Sequence, residues 1–508
     1  MMSEVKIGAV ISYIAIAIRI MTQILLTPHI IGALGVGEYG LFLLSNSLIL
    51  WFSLSDLGLG AAVGKFVVSY RANSKHENIY HFVGQSVMIF SVLGILTGII
   101  GAVSFFFLDS IFTSLSTNEI KVLKPLYLLT VANVVISFPL RPFSYLPNAY
   151  QKYIIPSCVG LLASLLNTIL TISLLYLDFK AFGLTLTVVL VGILQLIWQT
   201  YYSIKVLGIK IIFKSPDTAL YRELFAFSVW VFIAQIIDIL YWRIGSVILA
   251  KFSGSTAVSI YTLSTSFSQY FITLSLVLSG VLSARIMHIV ATGASAKHLT
   301  DVMVKLGRVQ LSVLVIALCL FYIYGRSFLQ LWIGESLSSE IELIWRCALI
   351  VLIPLMVPLT QTAALPIIQA KNAHNGRSCI LIISSVVSAA SGTLLSLKHG
   401  PLGMCLGISF SLVFGQILML NIYYSKKIGL SIGHFFKTTY LPMLLPVSLI
   451  ILAGLTIRCH FMIISWLDFF TNCASFITLS IIILYMLYFN NEEKAMFTIP
   501  IKKYISKT

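Results

Sequence analysis

Two arginines sit where a hydrocarbon setting makes a charge costly. Arg19 lies about midway along the apolar run YIAIAIRIMTQ, and Arg243 lies in a second, IIDILYWRIG. An ionised side chain in such a run faces protein or a water-filled cavity. A guanidinium keeps its charge and offers two parallel donors, so two of them at equivalent depth would suit a phosphate or pyrophosphate. The alternative is structural, with each arginine locking helix packing through a carboxylate or carbonyl. Asp238 stands five residues before Arg243 and could pair with it loosely. Asp56, in SDLGLGAAVGKFVVSYRA, could close an inner gate with a basic partner, take up a proton, or cap the break made by Gly58 and Gly60. Asp56 and Asp238 are therefore the candidates for gating or coupling. Arg141 and Arg285 fall at the ends of apolar runs. Snorkelling to lipid headgroups is the ordinary role there, and an entrance for an anionic headgroup is the functional one.

Other chemistries find no home. Gly35, Gly37 and Gly40 in GVGEYG match the dinucleotide-binding spacing, but they fall in a tight hairpin between two apolar runs with no preceding strand. Lys65 after Gly64 lacks the Walker spacing and its Ser/Thr. The nine histidines fall in loops or near run ends without metal-ligand grouping, and the seven cysteines are scattered with no Cys-x-x-Cys pair. No cofactor, metal site or catalytic constellation is expected, and the chain reads as a non-enzyme.

The elements that must hold these residues are membrane helices. Of 508 residues 58% are hydrophobic and only 10% charged, where soluble proteins carry roughly a quarter charged residues. About fourteen apolar runs, the first near 7–30 and the last near 471–489, are each long enough to cross a bilayer. The first run has no small-residue cleavage site and contains Arg19, so it does not read as a removable signal peptide. With a cytoplasmic N-terminus, 23 of the 33 Lys and Arg fall on the inner side and 7 on the outer. That bias places both termini in the cytoplasm. The net charge of +16 is thus a topology signal, and with no basic stretch on a soluble fold no nucleic-acid partner is implied.

The first six runs map onto the next six with a shift of about 222 residues: Tyr39 to Tyr261, Arg19 near Arg243, Gly183 near Gly403. Six is even, so both copies face the same way, as in secondary transporters whose site lies between two halves. Pro139, Pro142 and Pro147 near the end of the fourth run are echoed by Pro354, Pro358 and Pro366 in the tenth. The fold class is thus an all-α integral membrane protein of about 14 transmembrane helices. Two six-helix lobes in parallel pseudo-twofold repeat surround a central cavity, and two C-terminal helices are added. The expected divisions are a first lobe over 1–204, a cytoplasmic connector over 205–223, a second lobe over 224–424, two further helices over 425–489 and a cytoplasmic tail over 490–508.

The whole chain resembles the polysaccharide and O-antigen flippases of the multidrug/oligosaccharidyl-lipid/polysaccharide exporter superfamily. The likeness rests on GALGVGEYGLFLLSNSLILWFSLSDLGLGAAVGKFVVSYRA (32–72), on YLPNAYQKY (145–153), and on IIQAKNAHNGR (367–377) at the matching place in the second half. The resemblance implies a bacterial inner-membrane protein that moves undecaprenyl-pyrophosphate-linked oligosaccharide units between leaflets by alternating access. It also implies membrane lipids as surroundings, and a polysaccharide polymerase and a chain-length regulator as partners. Arg19 and Arg243 stand where cavity cations are expected of such a protein. The rival readings are a cation-coupled multidrug exporter of the same superfamily, a membrane polymerase or glycosyltransferase, and a non-transporting scaffold. A drug exporter would favour an acidic chamber. The enzyme would need a sizeable outer loop, and the scaffold leaves paired intramembrane arginines unexplained.

Overall fold

The computed structural model describes residues 2–73, 76–152, 154–213, 218–280, 283–371, 373–491 and 493–494. Every regular element among them is helical, and 11 helices are long and apolar enough to cross a membrane. In chain order they begin with α1 (Met2–Ser53), α2 (Leu59–Ala72), α3 (His76–Phe105), α4 (Leu108–Ile111), α5 (Thr117–Ser137), α6 (Arg141–Ala149), α7 (Ile154–Tyr176), α8 (Lys180–Tyr201), α9 (Thr218–Trp242) and α10 (Ile244–Phe252). They continue with α11 (Ser255–Gly280), α12 (Ser283–Ala291), α13 (Ala296–Leu337), α14 (Ile341–Thr360), α15 (Ala364–Ala370), α16 (His374–Ser411), α17 (Leu420–Tyr423), α18 (Ile432–Thr439), α19 (Leu444–His460) and α20 (Trp466–Leu487). The chain forms two compact units, Met1–Thr262 with Thr393–Pro401, and Leu263–Gly392 with Leu402–Thr508. Helix α9 begins inside the stretch read as a connector.

In the first unit α1 packs on α5, α7, α8 and α10, and α2 packs on α6 and α9. Two breaks in the first helices have identifiable causes. Gly35 interrupts α1 at φ 75°, ψ 165°, a conformation essentially confined to glycine. Gly35 is therefore the turn of the expected hairpin at GVGEYG, and it joins two helical segments that line the same cavity. Gly40 serves packing, because a Cβ there would lie 2.0 Å from the Ser255 carbonyl oxygen at the start of α11. The second break follows Asp56, with Leu57 at φ 51° and Gly58 at φ 74°. A side chain at Gly58 would also meet the α9 backbone at Ser228, 2.6 Å away. Helix α5 starts on a capping box. The Ser116 hydroxyl accepts the Glu119 N–H at 3.3 Å, and the Glu119 carboxylate accepts the Ser116 N–H at 2.8 Å. The apolar core of this unit joins Leu59, Val63, Phe82, Phe90, Phe138 and Leu146.

The second unit packs α13 on α14, α18, α19 and α20, and α12 on α15. Its core includes Leu299, Met303, Ile367, Ile368 and Phe435. Gly400 (φ 53°, ψ −130°) reverses the chain within α16 as Gly35 does within α1: the Ser411 hydroxyl donates to the Ser384 carbonyl, and a Cβ at Gly407 would lie 2.4 Å from the Gly392 Cα. Several backbone irregularities recur at a spacing of 221–222 residues. The π-helical turns Tyr202–Val206 and Tyr424–Ile428 each end before a glycine of positive φ, Gly208 and Gly429. Residues Asp178 and Gly400 both have positive φ. The Lys152 N–H donates five residues back to the Pro147 carbonyl, and the Ala373 N–H does the same to Ile368.

Candidate functional site

Within the first unit, α1, α7 and α8 enclose a cavity of about 540 Å³. Its walls follow helical periodicity. Helix α1 presents Arg19, Thr22, Gln23, Leu26, Thr27 and Ile30, spaced three and four residues apart on one face. Helix α7 presents Gly160, Ala163, Ser164, Asn167, Thr168 and Thr171 with the same spacing, and α8 contributes Leu184, Val188, Val191, Gly192 and Gln195. Beyond the turn at Gly35, the second segment of α1 closes the site with Tyr39, Phe42, Leu43 and Asn46. The turn thus brings both segments to the same cavity.

Two glycines explain why the space exists. A Cβ at Gly160 or Gly192 would meet nothing within 4 Å, and neither residue has a positive φ. Neither packing nor backbone geometry calls for glycine there, so what their bareness provides is room.

Arg19 is the only charged residue lining the cavity among the described residues. It is exposed, and it makes no hydrogen bond or ion pair to a described residue. The lining hydroxyls are partly occupied by their own helices: Thr27 donates to the Gln23 carbonyl at 2.6 Å and Thr168 to that of Ser164 at 3.0 Å. Such back-bonding leaves the hydroxyl oxygens able to accept. The Gln23, Asn46, Asn167 and Gln195 amides supply further donors. One fixed cation ringed by neutral polar groups can hold an anionic group bearing hydroxyls, and it offers a cation no counter-charge.

The other candidates lie elsewhere. Arg243 caps α10 at the junction with α9 and does not line this cavity. Asp238 feels the Arg243 charge without closing an ion pair with it. Asp56 and Arg141 do come together. The Arg141 Nη1 is 3.4 Å from Asp56 Oδ2, and its Nη2 donates to the Ser53 hydroxyl at 2.7 Å. The guanidinium also lies 4.7 Å over the Phe138 ring. Asp56 is buried and its Oδ1 accepts the Gly58 N–H at 2.8 Å, so one carboxylate both caps the break and meets a cation. Arg285 lies in α12, and its side chain is outside the described residues.

Reading single charges left out the polar stripes on α1 and α7, which the three-and-four spacing of 19/22/23/26/27 and 160/163/164/167/168/171 carries in the sequence itself. It also left out Arg308. That residue is buried and clasped, with Nε 2.6 Å and Nη2 2.9 Å from the two Glu493 carboxylate oxygens. Its Nη1 donates to the Thr438 carbonyl at 2.8 Å, and Nη2 also donates to the Tyr488 carbonyl.

Comparison with known proteins gives a consistent set. The family model described as "Polysaccharide biosynthesis protein" matches residues 7–286, more than half of the chain. An uncharacterized membrane protein, EpsK of Bacillus subtilis (strain 168), is 22% identical over 435 residues, covering 82% of each chain. Among solved structures, the lipid II flippase MurJ in an inward closed conformation superposes with a TM-score of 0.74 at 13% identity, covering 95% of this chain and 98% of MurJ. An inward-facing multidrug resistance MATE transporter of the MOP superfamily gives 0.62 at 14% identity, over 82% of this chain and 99% of that one. A MOP superfamily transporter from Pyrococcus furiosus, described as having a binding pocket of reverse polarity, gives 0.54 at 13% identity over 84% and 96%. At these identities the structural likeness speaks for the fold.

Proposed function

This chain belongs to the polysaccharide biosynthesis protein family, and we propose that it is a flippase of the MOP superfamily for undecaprenyl-pyrophosphate-linked oligosaccharide repeat units in the bacterial inner membrane. The observation that carries the reading is the Arg19 cavity, whose described lining residues offer one cation, no acid and several neutral hydrogen-bonding groups. Moving a pyrophosphate and its sugars past hydrocarbon requires that their lost hydration be replaced. A guanidinium bound to phosphate oxygens does this for the charge, and the Asn, Gln, Ser and Thr side chains do it for the hydroxyls. The volume falls within the roughly 300–1,000 Å³ of small-molecule sites and takes a headgroup and its first sugars, not a polymer.

In this reading the chain crosses about fourteen times with both termini cytoplasmic, as two six-helix lobes and two added helices. The backbone irregularities recurring 221–222 residues apart support the parallel repeat. The lobes rock to expose the headgroup to either side. Arg243, at the α9–α10 junction and outside the wall of the Arg19 cavity, meets the headgroup as the lobes rock. The Asp56–Arg141 pair gates, Asp238 couples, and Arg141 with Arg285 meets headgroups at the entrance. The fold is shared with MATE transporters, so a cation-coupled drug exporter is the second reading. The absence of any acid among the described lining residues weighs against it.

The test is complementation of a flippase-deficient strain. Arg19→Ala should reduce surface polymer at least 100-fold with the protein inserted at normal levels, and Arg19→Lys should restore part of it. Normal polymer with Arg19→Ala would overturn the reading.

A further inference from the structure

A second concavity lies beside the first. Between α7 and α8 runs an apolar groove of about 700 Å³, walled by Cys158, Leu162, Leu166, Ile169, Leu194 and Trp198. Leu162 is 64% exposed, Ile169 60% and Leu194 50%. Exposed leucines are ordinary on a lipid-facing helix. What is not ordinary is the position of this groove, because Ala163, Val191 and Gln195 line both it and the Arg19 cavity. The two spaces share a wall made of one small side chain, one β-branched side chain and one amide. At the far end Trp198 stacks on Tyr202 with ring centroids 5.5 Å apart, which bounds the groove with a rigid aromatic pair.

We propose that this pair of spaces is one amphiphile site, in which the Arg19 cavity takes an anionic headgroup while the α7–α8 groove takes the first part of its hydrocarbon chain. The proposal rests on the headgroup reading above and adds the path of the tail: the lipid reaches the cavity through a single lobe, past Ala163 and Gln195. Adjacency is the argument. A headgroup bound at Arg19 must leave its tail in an apolar environment, and three residues line both the groove and the cavity. The occupant is thus a lipid with a diphosphate or phosphate head on an unbranched or isoprenoid chain.

The full chain in phosphatidylcholine nanodiscs is exposed to a polyprenyl pyrophosphate carrying a photoreactive diazirine on its third isoprene unit, and to the matching polyprenol. The proposal expects the pyrophosphate to label peptides containing Leu162, Leu166 and Trp198 at least ten-fold more than the alcohol does. Arg19→Ala should abolish that excess. Ala163→Trp, which fills the shared wall, should cut the labelling at least five-fold, and Leu194→Gln, on the lipid-facing side, should cut it without burdening the fold. Pyrophosphate-dependent binding with labels on other helices would overturn the groove and leave the headgroup reading standing. Equal labelling by the polyprenol would reduce the groove to ordinary lipid contact and overturn the proposal. No pyrophosphate-dependent binding would overturn both.

Discussion

Arg19 and Arg308 are two arginines on long apolar helices, and they are opposites. Arg308, on α13, is 6% exposed and fully engaged: both Glu493 oxygens, two backbone carbonyls, and the Tyr488 ring 4.1 Å from its guanidinium carbon. Arg19, on α1, faces a cavity with its donors uncommitted to any described residue. Burying a charge is tolerated when every donor is matched, and Arg308 meets that condition within the protein. Arg19, exposed in the cavity, has no such partner among the described residues. The first arrangement holds α13, α18 and the chain beyond α20 together. The second, in the proposed function, is kept for a ligand.

Substitutions separate the two along stability and transport. The largest stability effect belongs to Arg308→Ala, which strands Glu493 in a buried site and should cost about 3–5 kcal/mol, read as a fall in thermal midpoint of the purified protein. Arg19→Ala should leave that midpoint unchanged while transport disappears, and an equal loss of stability would erase the distinction drawn between them. An intermediate case is Asp56→Asn. Arg141 is one-fifth exposed and keeps its bond to Ser53, so about 2 kcal/mol is expected, less than for the Arg308 clasp. Gly192→Leu is predicted to move the two readouts in opposite directions. Removing a helical glycine gains up to about 1 kcal/mol, while the added side chain enters the open cavity and lowers transport roughly ten-fold. The smallest effect is Ser116→Ala at the start of α5, about 1 kcal/mol of stability from the lost cap with transport retained.

Much of the architecture was legible because a bilayer imposes simple demands. Apolar runs long enough to span gave the helices, and Gly58 marked a break that Asp56 caps. The glycines of GVGEYG were set aside as a dinucleotide motif for want of a preceding strand, and their roles needed coordinates. Gly35 turns the chain between two helical segments and Gly40 admits another backbone, and a sequence prints both as the same letter. The cavity was half legible. Arg19 stood out as a charge in an apolar run, whereas its companions Thr22, Asn167 and Gln195 are individually common and acquire meaning only through their shared face. Arg308 was passed over, because its partners Thr438, Tyr488 and Glu493 are more than 100 residues distant and no local pattern points to them. The corner of Arg141 shows the same limit. Its counterpart 221 residues on is Thr362, which joins a neutral network where Gln310 donates to the Ser275 and Thr362 hydroxyls at 3.0 and 2.7 Å. A repeat in backbone therefore did not carry a repeat in charge.

The central claim, that Arg19 holds a pyrophosphate headgroup, is tested most directly by binding undecaprenyl pyrophosphate and undecaprenol to the purified protein by native mass spectrometry, in wild type and in Arg19→Ala. The account predicts at least a ten-fold preference for the pyrophosphate in wild type and its collapse in the variant. A preference that survives the loss of Arg19, or that never existed, would contradict it.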